Sequence, residues 1–203
     1  MSLRENIKKF IPIMDRYYIP ELYMLSLIGG SIFTSLICPN LSKHGYNTRG
    51  ISKNYFILFY LYAILYYIYI KDSFNVYFVH ICRRFVECCF LKYSRRCKMS
   101  FIHLFVGFSY YTVVINKLRE ENFGYLYVVL FLILNLLQSY AHYRIFAQKK
   151  RNIPYFHYLC EFLIFLSIFY KVRSLFCFLN CCWIVTFSAV TILQRRKYNK
   201  YDK

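Results

Sequence analysis

Glu161 stands inside an apolar stretch, with His157 four and Tyr158 three residues before it, so all three groups project from one helical face. An ionisable group at membrane depth is costly and usually faces an internal space. A carboxyl, an imidazole and a phenol side by side can position and move a proton. Two readings of Glu161 stand: it is packing glue held by a basic residue of a neighbouring helix, or it lines a polar pocket open to the cytosol. The second is suggested by Pro154 and the run Lys149-Lys150-Arg151, one turn before it.

A second constellation lies in VYFVHICRRFVECCFLKYSRRCKMSF. His80, Arg83, Arg84 and Glu87 fall at i, i+3, i+4 and i+7, one stripe of a helix, while Val79, Phe85, Val86, Cys89 and Phe90 supply an apolar side. The pattern predicts a membrane-surface helix with a polar stripe. Arg83 and Glu87 can form an i,i+4 pair on a solvated face, with the other cations reaching headgroups. Equally, adjacent arginines suit bidentate phosphate binding, with the acid holding one of them in place. Spacing does not separate the two. Nine cysteines, in apolar stretches or in this basic segment, offer no Cys-x2-Cys pair, and no paired His-x3-His spacing accompanies them, so no metal site is expected.

The elements that must carry these groups are apolar. Of 203 residues, 59% are hydrophobic, with 23 Tyr, 21 Phe and only 6 Gly, too little polar surface for a soluble domain of this size. Six stretches approach the roughly 20 residues that cross a bilayer: Ile19 to Cys38, Asn54 to Ile70, Phe101 to Ile115, Phe123 to Tyr143, Tyr155 to Tyr170 and Ser174 to Leu193. Backbone groups in hydrocarbon must bond internally and period-2 alternation is absent, so all six are read as helices. The expected fold is an all-α integral membrane protein, about six transmembrane helices in one bundle forming a single domain over residues 1–203. The first 18 residues lack an apolar core long enough for a cleaved leader, so the first span is expected to be retained.

The 27 Lys and Arg against 9 Asp and Glu give a formal charge of +18. Alternate segments between the six spans hold 20 cations against 7, which predicts cytosolic termini and cytosolic loops at Lys71 to Ser100 and Arg144 to Pro154. Charge spread along helix ends suits anionic lipid headgroups and argues against a nucleic-acid surface.

The basic segment resembles the very-long-chain trans-2-enoyl-CoA reductases, members of the steroid 5α-reductase superfamily. The residues that carry the resemblance are His80, Arg83-Arg84, Glu87, Phe90, Lys92-Tyr93-Ser94, Met99-Ser100 and Tyr110-Tyr111, then Gln138, His142, Arg144, Ile153-Pro154 and Tyr158 with Glu161. The tail RRKYNKYDK is similar to the start of the family's C-terminal segment. The resemblance implies a reduced form without the family's N-terminal ubiquitin-like domain, in the endoplasmic reticulum membrane, reducing trans-2-enoyl-CoA to saturated acyl-CoA with NADPH, the last step of fatty acid elongation. It implies Tyr158 as proton donor, Glu161 as its orienting group, and Glu87 completing the catalytic set by holding Arg84. Arg83 and Arg84 would grip cofactor or CoA phosphates, and His142 and Arg144 would line the other side of the cofactor pocket. No Gly-x-Gly-x-x-Gly is present, so the nucleotide would bind within the helical bundle. Implied partners are a long-chain acyl-CoA, membrane lipid and other membrane enzymes of the elongation cycle. Two alternatives remain: a polyprenol or steroid enone reductase of the same superfamily, and a non-catalytic scaffold of a lipid-synthesis complex.

Overall fold

In the computed structural model, residues 18–38, 50–70, 75–93, 97–118, 121, 123–146 and 155–199 are described, with side chains as far as 194. The run Lys149-Lys150-Arg151, Ile153-Pro154, Ser94 and the tail beyond 199 therefore lie outside the described residues. Among the described residues there are seven α-helices: α1 (Ile19–Leu36), α2 (Phe56–Ile70), α3 (Val76–Phe90), α4 (Phe101–Leu118), α5 (Tyr125–Phe146), α6 (Phe156–Val172) and α7 (Leu175–Asn199). A 3-10 turn, Lys53–Tyr55, leads into α2.

Among the described residues, five helical segments are long and apolar enough to cross a membrane: Ile19–Leu36, Lys53–Ile70, Phe101–Leu118, Tyr125–Phe146 and Leu175–Gln194. The sixth expected span is α6, a helix of 17 residues. The protein is thus an all-α membrane bundle. Its surface fits that setting, since Leu22, Leu126, Leu136, Tyr170 and Leu193 are exposed, as side chains facing lipid can be. Inside sit Met24, Tyr67, Tyr77, Ile81, Ile115, Phe131, Ile164 and Phe176, each fully buried.

Contacts at the helix ends fix the path of the chain. α2 and α4 run side by side in the same direction, since Tyr62 meets Thr112 at 2.6 Å and Tyr66 meets Asn116 at 3.2 Å, both 50 residues on. Their starts are clasped by a two-residue antiparallel pairing of Ile51–Ser52 (β1) with Lys98–Met99 (β2). Gly50 makes that clasp possible: its φ is +135°, and a Cβ there would lie 2.3 Å from the Met99 carbonyl oxygen. Halfway along, Gly107 lets the Phe59 ring lie where a Cβ would be 2.7 Å away.

α3 departs from the sequence expectation. It begins at the far end of this pair, where Asn75 caps it by accepting from the Tyr77 and Phe78 amides while its Nδ2 donates to the Leu118 carbonyl at 2.7 Å. It returns to the clasped end, where the Tyr93 amide donates to Asn54 Oδ1 at 2.8 Å. The segment is therefore another traverse of the bundle and not a helix lying on its surface. Its exposed side chains are Val79, Val86 and Phe90, while His80 and Ile81 are buried. Polar groups turned inward and apolar groups outward suit a lipid environment and would be inverted for a helix lying in water.

Successive helices then alternate. The ends of α5 and α6 meet through Gln138 Nε2 donating to the His157 carbonyl at 3.4 Å, and further along Tyr127 and Ser167 approach to 3.3 Å. α6 and α7 form a hairpin across Arg173 and Ser174, with the Phe169 and Phe178 rings 5.7 Å apart. Glu21, near the start of α1, lies 3.9 Å from Lys117 near the end of α4, and Tyr23 meets Ser109 at 2.7 Å. The start of α1 and the end of α7 consequently lie at opposite ends of the bundle. The expectation of both on one side depended on treating residues 71–100 as an extramembrane loop.

Candidate functional site: a charged junction and an acid among tyrosines

The stripe on α3 has a counterpart. Asn135, Gln138, Ser139 and His142 on α5 repeat the i, i+3, i+4, i+7 spacing of His80, Arg83, Arg84 and Glu87, and the two stripes mesh with a constant offset of 55. α3 and α5 therefore run parallel, polar face to polar face. Asn135 Nδ2 donates to the Phe131 carbonyl at 2.7 Å, which leaves Oδ1 to accept from His80 Nδ1 at 2.7 Å and Arg83 Nε at 2.8 Å. His80 Nδ1 donates to Asn135 when it carries the proton and accepts from Arg83 Nη2, 3.3 Å away, when it does not.

Arg83 also donates from Nη1 to Ser139 Oγ at 3.0 Å and to Glu87, and from Nη2 to Gln138 Oε1. The Ser139 hydroxyl in turn donates to Glu87 Oε1 at 2.6 Å. Glu87 Oε2 meets Arg84 Nη1 and lies 2.8 Å from His142 Nδ1. Arg84 Nη1 is itself 2.7 Å from the same His142 nitrogen. A neutral imidazole nitrogen either donates or accepts, so His142 Nδ1 serves Glu87 or Arg84, one at a time. Arg84 Nε donates to Tyr60 Oη at 3.1 Å, and the guanidinium lies over the Tyr60 ring. The junction thus joins α2, α3 and α5, and through Gln138 it reaches the start of α6. The Arg83 and Arg84 side chains are 15% and 16% exposed and Glu87 11%.

Glu161 lies beside this junction, within electrostatic reach of Arg84, Arg83 and Glu87. It makes no hydrogen bond or ion pair among the described residues. Around it are tyrosines: Tyr60, Tyr77 and Tyr110 all feel its charge. The Tyr60 and Tyr111 rings lie 5.5 Å apart, and Tyr110 packs on Tyr111 at 5.4 Å and donates to Asn180 Oδ1 at 3.0 Å. Tyr158 sits toward the basic end. Its ring is 4.0 Å from that of His157, which in turn is 5.4 Å from His142. Tyr158 and Arg84 both act on Tyr93, whose hydroxyl is raised above its ordinary range mainly by burial and so remains a proton carrier at neutral pH.

The structure therefore brings Arg83, Arg84, Glu87 and His142 into one network, places Glu161 next to it, and connects Tyr158 through His157. Arg144 is left out: it donates to Tyr140 Oη at 2.8 Å on an exposed strip of α5. Asn135, Ser139 and Tyr60 were not singled out from sequence. The detectable signal was the repeat of one polar spacing in two segments.

A nicotinamide cofactor requires cationic donors for its phosphates. Arg83 has all three guanidinium nitrogens bonded to internal acceptors, and Arg84 is engaged by Tyr60, Glu87 and His142. As arranged, Arg83 is a strut holding α3 on α5, whereas Arg84 keeps its Nη2 outside these bonds and is the member of the pair that fits a phosphate.

Fold and site together define a membrane-embedded helical bundle with a buried ionic junction beside an uncommitted carboxyl. Comparison with protein-family models, curated proteins and solved structures returns no match.

Proposed function

We propose that this chain is a membrane-embedded reductase of conjugated double bonds, acting on a long trans-2-enoyl-CoA with NADPH as reductant. One observation carries the reading. The two segments that resemble the enoyl-CoA reductases, around residues 80–111 and 138–161, converge on one interior cluster in which Glu161 is not consumed by structural bonds. A scaffold has no need of an ionisable group held without a partner inside an apolar bundle.

NADPH, when bound, would supply the hydride for the β carbon of the enoyl thioester. The chain's own residues have two tasks: to hold the thioester carbonyl as negative charge develops on it, and to deliver a proton to the α carbon. Tyr158 is the proton donor in this proposal, with His157 against its ring. Glu161 orients the tyrosine hydroxyls that surround it. Glu87 acts at one remove, by fixing Arg83, Arg84 and His142, and is a positioning residue.

Orientation belongs to the same proposal. Connections at the end where α5 meets α6 hold ten Lys and Arg, at 37–55, 91–100 and 147–155, against three at 71–75, 119–124 and 173–174. Retention of positive loops then places the richer end in the cytosol, together with the end of α7, and the start of α1 on the other side. The junction and Tyr158 lie toward the cytosolic end, from which a soluble reductant and a CoA headgroup arrive. The endoplasmic reticulum and its elongation enzymes are the setting that the resemblance suggests.

One observation favours a second reading, a non-catalytic scaffold: all three guanidinium nitrogens of Arg83 are taken by internal partners. NADPH oxidation by the detergent-purified chain with a long trans-2-enoyl-CoA, run beside Tyr158→Phe, decides. Turnover that falls at least about a hundredfold in the variant, the upper part of the usual general-acid contribution, supports reductase and donor together. Unchanged turnover keeps the reductase and removes Tyr158. A folded wild type that neither binds nor oxidises NADPH selects the scaffold.

A further inference from the structure

The junction between α3 and α5 spends its donors; the interior beyond it does not. Tyr77 on α3 is fully buried, yet its hydroxyl has no hydrogen-bond partner among the described residues. On α7, the buried Nε1 of Trp183 has none there either. A buried donor without an acceptor is costly, and such donors are rare in a settled core. Both belong to the same neighbourhood. Trp183 packs on Tyr110 at 4.7 Å, Tyr77 and Tyr110 act on each other, and Glu161 acts on both tyrosines.

The missing partner must be an acceptor. An indole N–H can only donate, and a phenol is the better donor of its two roles. It must also belong to a mainly apolar molecule, because the walls are hydrophobic: the Tyr77 ring meets Phe165 at 6.1 Å, within a core shared with Ile164, Val114 and Ile184. A long acyl chain carrying one carbonyl oxygen has this chemistry.

We infer that Tyr77 and Trp183 form a carbonyl-binding site for an acyl thioester, with Tyr77 Oη and Trp183 Nε1 as the donors to its oxygen. The inference deepens the reductase proposal, naming where the substrate carbonyl sits, and rests on it for the choice of a thioester. Neither residue belongs to the segments that carry the resemblance.

Trp183 is the single tryptophan of the chain, so its fluorescence reports on this site alone. The probe is palmitoyl-CoA, a saturated thioester that cannot be reduced, titrated into the full-length chain in detergent. The expected result is a saturable change in tryptophan emission and a Kd about 3- to 10-fold weaker in Tyr77→Phe, the range for losing one hydrogen bond. Ligand-free Tyr77→Phe should melt at the wild-type temperature or above it, since only an unpartnered hydroxyl is removed. A purely structural tyrosine predicts the opposite, a lower melting temperature with unchanged binding. Palmitoyl-CoA that binds, by retention of radiolabel, without altering the emission overturns the site. So does Tyr77→Phe binding as tightly as wild type.

Parallel NADPH assays keep the two proposals apart. Tyr77-dependent binding with no NADPH oxidation by the wild type sustains the site and sinks the reductase. Oxidation of NADPH with an unchanged KM in Tyr77→Phe sustains the reductase and sinks the site.

Discussion

Two polar regions share the interior of this bundle, and they are built on opposite principles. Between α3 and α5 the charged groups are matched almost donor for acceptor: Glu87 receives Arg83, Ser139, Arg84 and His142, and Arg83 reaches Asn135, Gln138 and Ser139. Around Glu161 the groups are close but uncommitted, with Tyr77 and Trp183 lacking partners and the carboxyl itself unbonded among the described residues. The difference separates what holds the fold from what is available for chemistry. A charge in hydrocarbon is tolerable when fully paired, and a paired charge is poorly placed to act on a ligand.

The strongest way to break this contrast is to cut the junction. Glu87→Ala leaves two arginines without their anion, and removal of one partner from a buried pair costs about 3–5 kcal/mol. The variant should lose its cooperative unfolding transition in detergent or show it at a much lower temperature. Replacing Arg83, Arg84 and Glu87 together by Met, Met and Leu should restore most of that loss, because apolar groups of similar volume often substitute for a buried ionic cluster. Failure of the triple variant to recover would mean that the network has a role beyond support.

A smaller effect is expected from overpacking between α2 and α4. Gly107→Leu drives a side chain into the Phe59 ring, an overpacking cost of about 1–3 kcal/mol, measurable as a lower thermal midpoint. Smaller still, Asn75→Ala removes the α3 cap and its tie to Leu118, for about 1 kcal/mol. Hydrogen exchange in Val76 to Val79 should rise in this variant, while amides near Glu87 stay protected.

Much of the architecture was legible in the sequence, because a run of apolar residues near bilayer length has few alternatives. The expected stretches match α1, α2, α4, α5, α6 and the apolar part of α7 to within about three residues at nearly every end. α3 was read correctly as a helix and given the wrong face. Its stripe, His80, Arg83, Arg84 and Glu87, is the same whether it meets water or a polar partner, so the pattern alone does not say which side is inside. The answer lay 55 residues on, in Asn135, Gln138, Ser139 and His142. Once α3 becomes a traverse, the start of α1 and the end of α7 fall at opposite ends of the bundle.

At the site, residue type and spacing selected Arg83, Arg84, Glu87, His142 and Glu161, which the structure gathers. They could not tell an arginine that is spent internally from one open to phosphate. Arg144 looked equivalent to its neighbours in sequence, yet its position on α5 turns it toward Tyr140 and away from the junction. Tyr77 and Trp183 carried no signal at all among 23 Tyr and many other aromatic residues; only the absence of partners marks them.

The central claim is that Glu161 serves chemistry while Glu87 serves the fold, and Glu161→Gln tests it most directly through melting temperature and NADPH turnover measured on the same purified sample. The account predicts a melting temperature at or above that of the wild type, with turnover reduced by about a hundredfold or more. A variant that melts several degrees lower while its folded fraction turns over at the wild-type rate would contradict it, and would make Glu161 one more strut.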